Sequence, residues 1–304
     1  MTRKSKQKKE DFISKNKKVL LVLGVLFMLL VYFFPDIYSS YYYRDSVTES
    51  PQTEMRKVPI AIQDKLLNQK QFVSVRVPIL MYHYVEYIKD TNDTIRKSLN
   101  IIPSIFDEQI KTLKNDGYTF MTARELAHVI NSDSPLPKKP IAITFDDGYR
   151  DVETDILPIL KKYNTKATAY VVPGFTGGSD YMTKAQIQNV IKSGLVEVGA
   201  HTVHHVSLKG QPLSVVKSEV KESKKMLEDT YHIKVSSFAY PNGEFDETSV
   251  KIVKDVGFTS SVSTIPGIIQ SDKNLFFLYR LRPGNRTGKA LLDYLSQDVF
   301  TQPY

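Results

Sequence analysis

From residue 77 onward the chain alternates between short apolar runs of strand length and longer amphipathic stretches of helical period. Residues 77–82 (VPILMY), 141–145 (IAITF), 167–172, 196–199 and 235–240 are apolar runs bounded by turn residues, which predicts strands. Between them Ser104 opens an amphipathic helix carrying Phe106, Ile110 and Leu113, and Thr122 with Glu125 forms a capping box for the next helix. A further helix runs through Ile156 and Leu160 and has to accommodate Pro158. Thr183 with Gln186 is a second capping box, Gly194 closes that helix, and helices follow over residues 213–229 and 247–256, the last closed by Gly257. Strand-helix alternation repeated this often predicts an α/β domain with a parallel sheet, whose functional residues gather at the carboxyl ends of the strands. The alternation alone does not separate a barrel from an open doubly wound sheet.

The first 76 residues follow a different pattern. Residues 1–18 hold eight Lys or Arg against Glu10 and Asp11, which accounts for +6 of the chain's net +8. In isolation such a block would bind nucleic acid, but it runs directly into VLLVLGVLFMLLVYFF (19–34), sixteen residues without a charge. Extended to residue 38, flanked by Lys17 and Lys18 and by a belt of Tyr38 and Tyr41 to Tyr43, this reads as a transmembrane segment. No small-residue cleavage site follows, which favours an uncleaved signal anchor over a removed signal peptide. The expected organisation is therefore a cytoplasmic basic tail (1–18), an anchor through the lipid bilayer (19–38), a polar extracellular stalk (39–76) and a catalytic domain (77–304) outside the membrane, with no nucleic-acid partner. The absence of cysteine rules out disulfides and thiolate metal sites and fits an exported bacterial protein, with a Gram-positive cell as the expected setting.

Two stretches carry candidate chemistry. IAITFDDGYRD (141–151) delivers two adjacent carboxylates, Asp146 and Asp147, to the end of a buried strand, where one can bind a metal and the other handle a proton. Taken alone, Asp-Asp-Gly is also ordinary turn and cap chemistry. The second stretch, HTVHH (201–205), places three of the chain's six histidines just past a strand. Spacing i, i+4 sets His201 and His205 on one face of a helical turn, where two imidazoles can grip one cation.

TFDDG followed by H-T-x-x-H resembles the first two motifs of the NodB homology domain, the polysaccharide deacetylases of carbohydrate esterase family four, and FAYPNG (238–243) is similar to the third motif in its FAYPxG form. The similarity covers about residues 77–285. It implies a distorted (β/α) barrel of about seven strands, with Asp146 as catalytic base and Asp147, His201 and His205 as ligands of a divalent metal. His204 would be a neighbour of the metal, and the backbone N–H of Asn242 an oxyanion donor. Family members usually take a general acid from a C-terminal histidine, yet none follows His232 here. PILMYHYV resembles the N-terminal PxLMYHxV segment of permuted members, which nominates His83, itself at the end of a predicted strand, over a merely structural rim histidine. The arginine usual in the third motif is replaced by Ala239, so Arg280 of LYRLRPG is the candidate partner for Asp146. The fourth-motif tryptophan is missing, and Tyr240 or Phe258 is expected to supply an aromatic wall.

These readings converge on a metal-dependent N-deacetylase acting on N-acetylglucosamine-type residues of a cell-wall or surface glycan. Peptidoglycan, a poly-N-acetylglucosamine and a linkage sugar of a wall polymer all remain open as substrates. Zinc is the default ion, with Co2+, Ni2+ and Mn2+ compatible with two imidazoles and a carboxylate. The alternatives are an O-acetyl esterase of a surface glycan and a catalytically silent glycan binder.

Overall fold

The computed structural model describes residues 74–88, 92–132 and 134–297. The basic tail, the 19–38 segment and the stalk up to residue 73 lie outside the described residues. Among the described residues no helix is long and apolar enough to cross a membrane. The chain divides into units 1–71 and 72–304, and the described residues all belong to the second.

Seven strands form one parallel sheet: β1 (Ile79–Tyr82), β2 (Thr119–Met121), β3 (Pro140–Phe145), β4 (Ala167–Val171), β5 (Val196–Ala200), β6 (Ser237–Ala239) and β7 (Ser260–Val262). Their order is β7-β6-β5-β4-β3-β1, with β2 also paired to β3. Strands covered on both faces read as continuous apolar runs, and β1, β4 and β5 are buried along their whole length. The two edges of the sheet meet through the stretch 278–281. Leu278 bridges Val262 of β7 and Leu281 bridges Leu80 of β1, with the Leu278 N–H donating to the Ser261 carbonyl and the Leu281 N–H to that of Ile79, both at 2.8 Å. The sheet therefore closes on itself, which decides for the distorted barrel over the open sheet.

Helices follow most strands, as the alternation predicts: α1 (Thr94–Leu99), α2 (Pro103–Asn115), α3 (Ala123–Ser132), α4 (Leu157–Tyr163), α5 (Lys184–Lys192), α6 (Leu213–Tyr231), α7 (Glu247–Asp255) and α8 (Gly288–Ser296). Both capping boxes form, at Thr122 with Glu125 and at Thr183 with Gln186. Pro158 is accommodated by a break in the helix expected there. A π-helical turn over Val152–Ile156 precedes α4, which restarts with the proline in its first turn, where no N–H is needed. Residues 74–76, assigned to the stalk by sequence, instead pair antiparallel with Ile269–Ser271. Their alternation of polar and apolar side chains is too short to register as a strand, and the pairing partner lies nearly 200 residues away.

Candidate active site

The site is built at the carboxyl end of β3, on an aromatic base. Phe145, the last residue of the strand, packs on Tyr82 (5.4 Å between ring centroids) and edge-on to Phe106 (5.5 Å). The next residue, Asp146, donates its N–H to the Tyr82 carbonyl at 3.0 Å, which fixes its backbone at the top of the barrel. Its carboxylate meets Arg280. Nη1 donates to Oδ1 at 2.7 Å and Nη2 to Oδ2 at 2.8 Å, a two-point contact between side chains that are both almost fully buried. The rest of the guanidinium is satisfied by the Ser263 carbonyl at 2.7 Å and the Thr144 hydroxyl at 3.2 Å. Burial alone would raise the Asp146 pKa, but the charge and hydrogen bonds of Arg280 outweigh it and hold the carboxyl below the usual range. Arg280, the candidate partner, is thus the side chain that meets Asp146, while position 239 is alanine.

Asp147 turns away from Asp146 by backbone conformation. Strand alternation does not separate the two carboxylates, because the strand ends at Phe145. Instead Asp147 lies in the left-handed region at φ 73°, followed by Gly148 at 77°. Oδ1 of Asp147 is 3.3 Å from Nε2 of His201 and 3.2 Å from Nε2 of His205, and all three donor atoms lie within 4.8 Å of one another. The imidazoles do not converge through a helical turn, as the i, i+4 spacing predicted. Residues 201–205 form a non-helical turn in which Thr202 (φ 59°) and His205 (φ 55°) are left-handed. Left-handed non-glycine residues cost on the order of 1–3 kcal/mol each and persist where surrounding contacts impose them. Among the contacts that hold this turn, Oε2 of Glu219 on α6 accepts the N–H groups of Val203 (2.8 Å) and His204 (3.0 Å), and the Thr202 hydroxyl accepts the Val206 N–H at 3.2 Å. Oε1 of Glu219 binds Nδ1 of His204 at 2.8 Å, which ties that exposed ring to Glu219 and outside the Asp147 cluster.

His201 is oriented from behind. Its Nδ1 lies 2.7 Å from the Ala239 carbonyl, a contact that makes Nδ1 the protonated nitrogen and leaves the Nε2 lone pair facing Asp147. The third motif therefore reaches the cluster through its main chain at Ala239. Asn242, three residues on, is also left-handed (φ 58°) within the turn Pro241–Gly243, and its side-chain amide donates to Ser207 at 2.8 Å, joining this turn to the histidine loop. His83 follows β1 directly and brings Nε2 to 4.0 Å from Oδ2 of Asp146. Burial lowers its pKa, and the nearby Asp146 and Asp147 only partly oppose that shift.

The donor set fits a divalent cation. Oδ1 of Asp147 is buried without a hydrogen-bond partner, and a ring nitrogen of each of two imidazoles, the ligand type that holds zinc as the neutral base, lies close to it. The expected aromatic wall does not form from Tyr240 or Phe258. Tyr240 is fully buried with its hydroxyl bonded to the Phe276 carbonyl, and Phe258 packs against Phe238 in the core. Aromatic surface beside the site comes instead from a stack of Tyr84 on Tyr149 (3.9 Å) and Tyr149 on Tyr181 (5.1 Å), with the Arg96 guanidinium over Tyr84. Tyr84 and Tyr149 are close in sequence to His83 and Asp147, a signal that was available in the chain. Asp151 is a further missed residue. It is buried, accepts the Val85 N–H with one oxygen, and is pushed up to about 7 chiefly by desolvation.

Comparison with known proteins agrees with this fold. A family profile for polysaccharide deacetylase matches residues 133–261. The Streptococcus pyogenes deacetylase PplD, solved in complex with acetate, is 30% identical and superposes with a TM-score of 0.68 over 74% of this chain and 100% of that one. The chain belongs to the polysaccharide deacetylase family. Membership makes it a hydrolase of non-peptide carbon-nitrogen bonds. The YxkH protein of Bacillus subtilis (strain 168) is 28% identical over 253 residues, spanning 81% of this chain and 87% of YxkH. The poly-beta-1,6-N-acetyl-D-glucosamine N-deacetylase of Staphylococcus aureus (strain N315) is 24% identical over 279 residues, spanning 87% of this chain and 91% of that enzyme.

Proposed function

We propose that this deacetylase is metal-dependent and removes acetyl groups from N-acetylglucosamine-type residues of a cell-wall or cell-surface polysaccharide. The observation that carries the reading is the adjacency of two assemblies at one barrel mouth: the Asp147, His201 and His205 donors, and the Asp146–Arg280 pair with His83 beside it. The named substrate of the S. aureus relative and the acetate held by PplD support the choice of an N-acetyl group.

Asp147, His201 and His205 would hold the ion, with zinc as the first choice and Co2+, Ni2+ or Mn2+ as substitutes. When bound, such an ion polarises an acyl oxygen and acidifies water. Asp146 accepts the proton of the attacking water, and Arg280 keeps that carboxylate ionised and aimed by gripping both oxygens. The N–H of Asn242, in the turn braced against the histidine loop, donates to the oxyanion. His83 protonates the departing amine. A silent binder would need Asp146 to lack a partner, which Arg280 supplies. An acid placed within 4.0 Å of the base favours an amide over an ester, because an amide nitrogen is the poorer leaving group. The same reading sets the domain outside a bacterial cell, tethered to the membrane through residues 19–38.

The test is acetate and primary-amine release from N-acetylglucosamine oligomers by the purified protein. Equal amounts of both should appear, chelation should stop the reaction, and added zinc should restore it. Acetate from O-acetylated glycan with none from N-acetylated oligomers would replace the amidase with an esterase.

A further inference from the structure

Two arginines stand in the segment that closes the barrel, and only one of them, Arg280, grips Asp146. Leu281 is hydrogen-bonded on both sides of its peptide to β1, its N–H to the Ile79 carbonyl and its carbonyl to the Met81 N–H at 2.9 Å, so residues 280–282 run as an extended strand alongside Ile79–Tyr82. Side chains alternate in such a segment. Leu281 is buried in the outer apolar core. Arg280 and Arg282 therefore share the opposite, inner side, and Arg282 stands about 7 Å further toward the mouth, at roughly 3.3 Å per residue. There it is exposed, and among the described residues it makes no hydrogen bond or ion pair. Its charge is felt by His83, and partial desolvation, then repulsion from Arg280, hold its pKa below the ordinary arginine value against the attraction of Asp146.

This is a costly place for a second guanidinium. Asp146 is already neutralised by Arg280 at both oxygens, so Arg282 adds an unmatched positive charge to the lip of the site. Its backbone is nevertheless fixed. Pro283 is buried, and the buried Gln109 of α2 accepts from the Tyr82 hydroxyl (2.9 Å) while donating to the carbonyls of Gly284 (2.7 Å) and Arg286 (2.8 Å). A planar donor on a fixed backbone without a protein acceptor, at the entrance to a deacetylase site, is suited to two-point capture of a carboxylate or phosphate.

We infer that Arg282 is a specificity residue that binds an anionic substituent, a carboxylate or a phosphodiester, carried on or next to the sugar being deacetylated. The inference rests on the deacetylase reading above and narrows its substrate from neutral poly-N-acetylglucosamine to acidic wall glycans.

The test compares three substrates on the metal-loaded full chain: a neutral N-acetylglucosamine tetramer, a tetrasaccharide alternating N-acetylglucosamine with carboxylate-bearing N-acetylmuramic acid, and the neutral tetramer carrying a glycerol phosphodiester on O6. The wild type should favour one or both acidic substrates. Arg282→Gln should lower the acidic-to-neutral ratio of kcat/KM by about 10-fold to 100-fold, the range one charge-assisted hydrogen bond supplies. The loss should sit in KM rather than kcat. Arg282→Lys should recover part of the ratio, and the wild-type KM for the acidic substrate should rise with salt where that of the variant does not. Whichever acidic arm responds identifies the source of the anion. A ratio unchanged in Arg282→Gln, or a loss confined to kcat, would overturn the inference. A wild type that released no acetate from any of the three would instead defeat the deacetylase reading on which it rests.

Discussion

Arg280→Gln is the most telling single perturbation, because it separates the support of Asp146 from the chemistry that Asp146 performs. The substitution deletes two charge-assisted hydrogen bonds, at 2.7 and 2.8 Å, and leaves a carboxylate that is almost fully buried without a counter-ion. At about 1.5–3 kcal/mol for each such bond the loss should lie near the 3–5 kcal/mol typical of breaking one partner out of a buried pair. The sign of the pH dependence follows from Asp146, whose pKa is held below its ordinary 3.8. Stability from the pair is present above that ordinary value and is lost as pH falls through the depressed one, so the penalty of Arg280→Gln should be largest near neutrality and shrink in acid. With Arg280 gone, burial acts unopposed and moves Asp146 upward, so the acidic limb of the pH-rate profile should shift to higher pH. Denaturant titrations of metal-chelated protein at several pH values measure the first effect, and steady-state profiles of zinc-loaded protein measure the second. Asp146→Asn with Arg280→Gln should be less destabilised than the two single losses combined, since neither charge is then left alone. Simple additivity, together with an unmoved acidic limb, would refute the argument that Arg280 acts through Asp146.

Three further outcomes are expected. His201→Ala and His205→Ala should each abolish stoichiometric metal binding in a dialysis assay, whereas His204→Ala should retain it, because that ring is engaged by Glu219. His83→Ala should lose roughly 10²–10⁴-fold on N-acetylglucosamine oligomers, the usual worth of a general acid, yet keep most of its activity on an activated aryl acetate, and the alkaline limb of the wild-type profile should vanish with it. Equal loss on both substrates would make His83 structural. Asp151, pushed up to about 7, favours the folded state in its neutral form. That contribution is complete below the ordinary 3.8 and is lost as pH rises through 7, so Asp151→Asn should match the wild type near pH 4 and exceed it in thermal stability at pH 8, by at most about 4 kcal/mol.

What could be read from the chain divides by sequence distance. The strands at 77–82, 141–145 and 196–199 and both capping boxes were legible because each rests on a contiguous pattern of a few residues, and the stretches 141–151 and 201–205 each marked side chains that the fold brings together. Their nearest failures are local as well. HTVHH has the spacing of a helical turn but is held in another conformation by contacts that include Glu219, fifteen residues away on α6. Tyr240 and Phe258 have the right side chains for a wall but the wrong burial, which depends on what packs over them. Barrel closure was invisible for the same reason. Leu278 and Leu281 make isolated bridges to Val262 and Leu80, on strands far apart in the chain, and four residues carry no periodicity from which pairing can be argued.

Closure and the support of Asp146 nevertheless depend on one segment. In the usual arrangement of the family the arginine that steadies the catalytic aspartate lies in the third motif, on a strand of the sheet itself. Here position 239 is alanine, and the arginine comes from the short stretch that joins β7 to β1. The Ser263 carbonyl at the end of β7, Thr144 of β3 and Asp146 all bind the same guanidinium, so Arg280 holds β7 and β3 across the barrel as well as orienting the base. Loss of the segment's pairing with β1 would therefore withdraw the counter-ion of Asp146 even with every side chain intact. A buried carboxylate whose counter-ion comes from the closing segment ties its support to that pairing, in a way that an arginine on an interior strand would not.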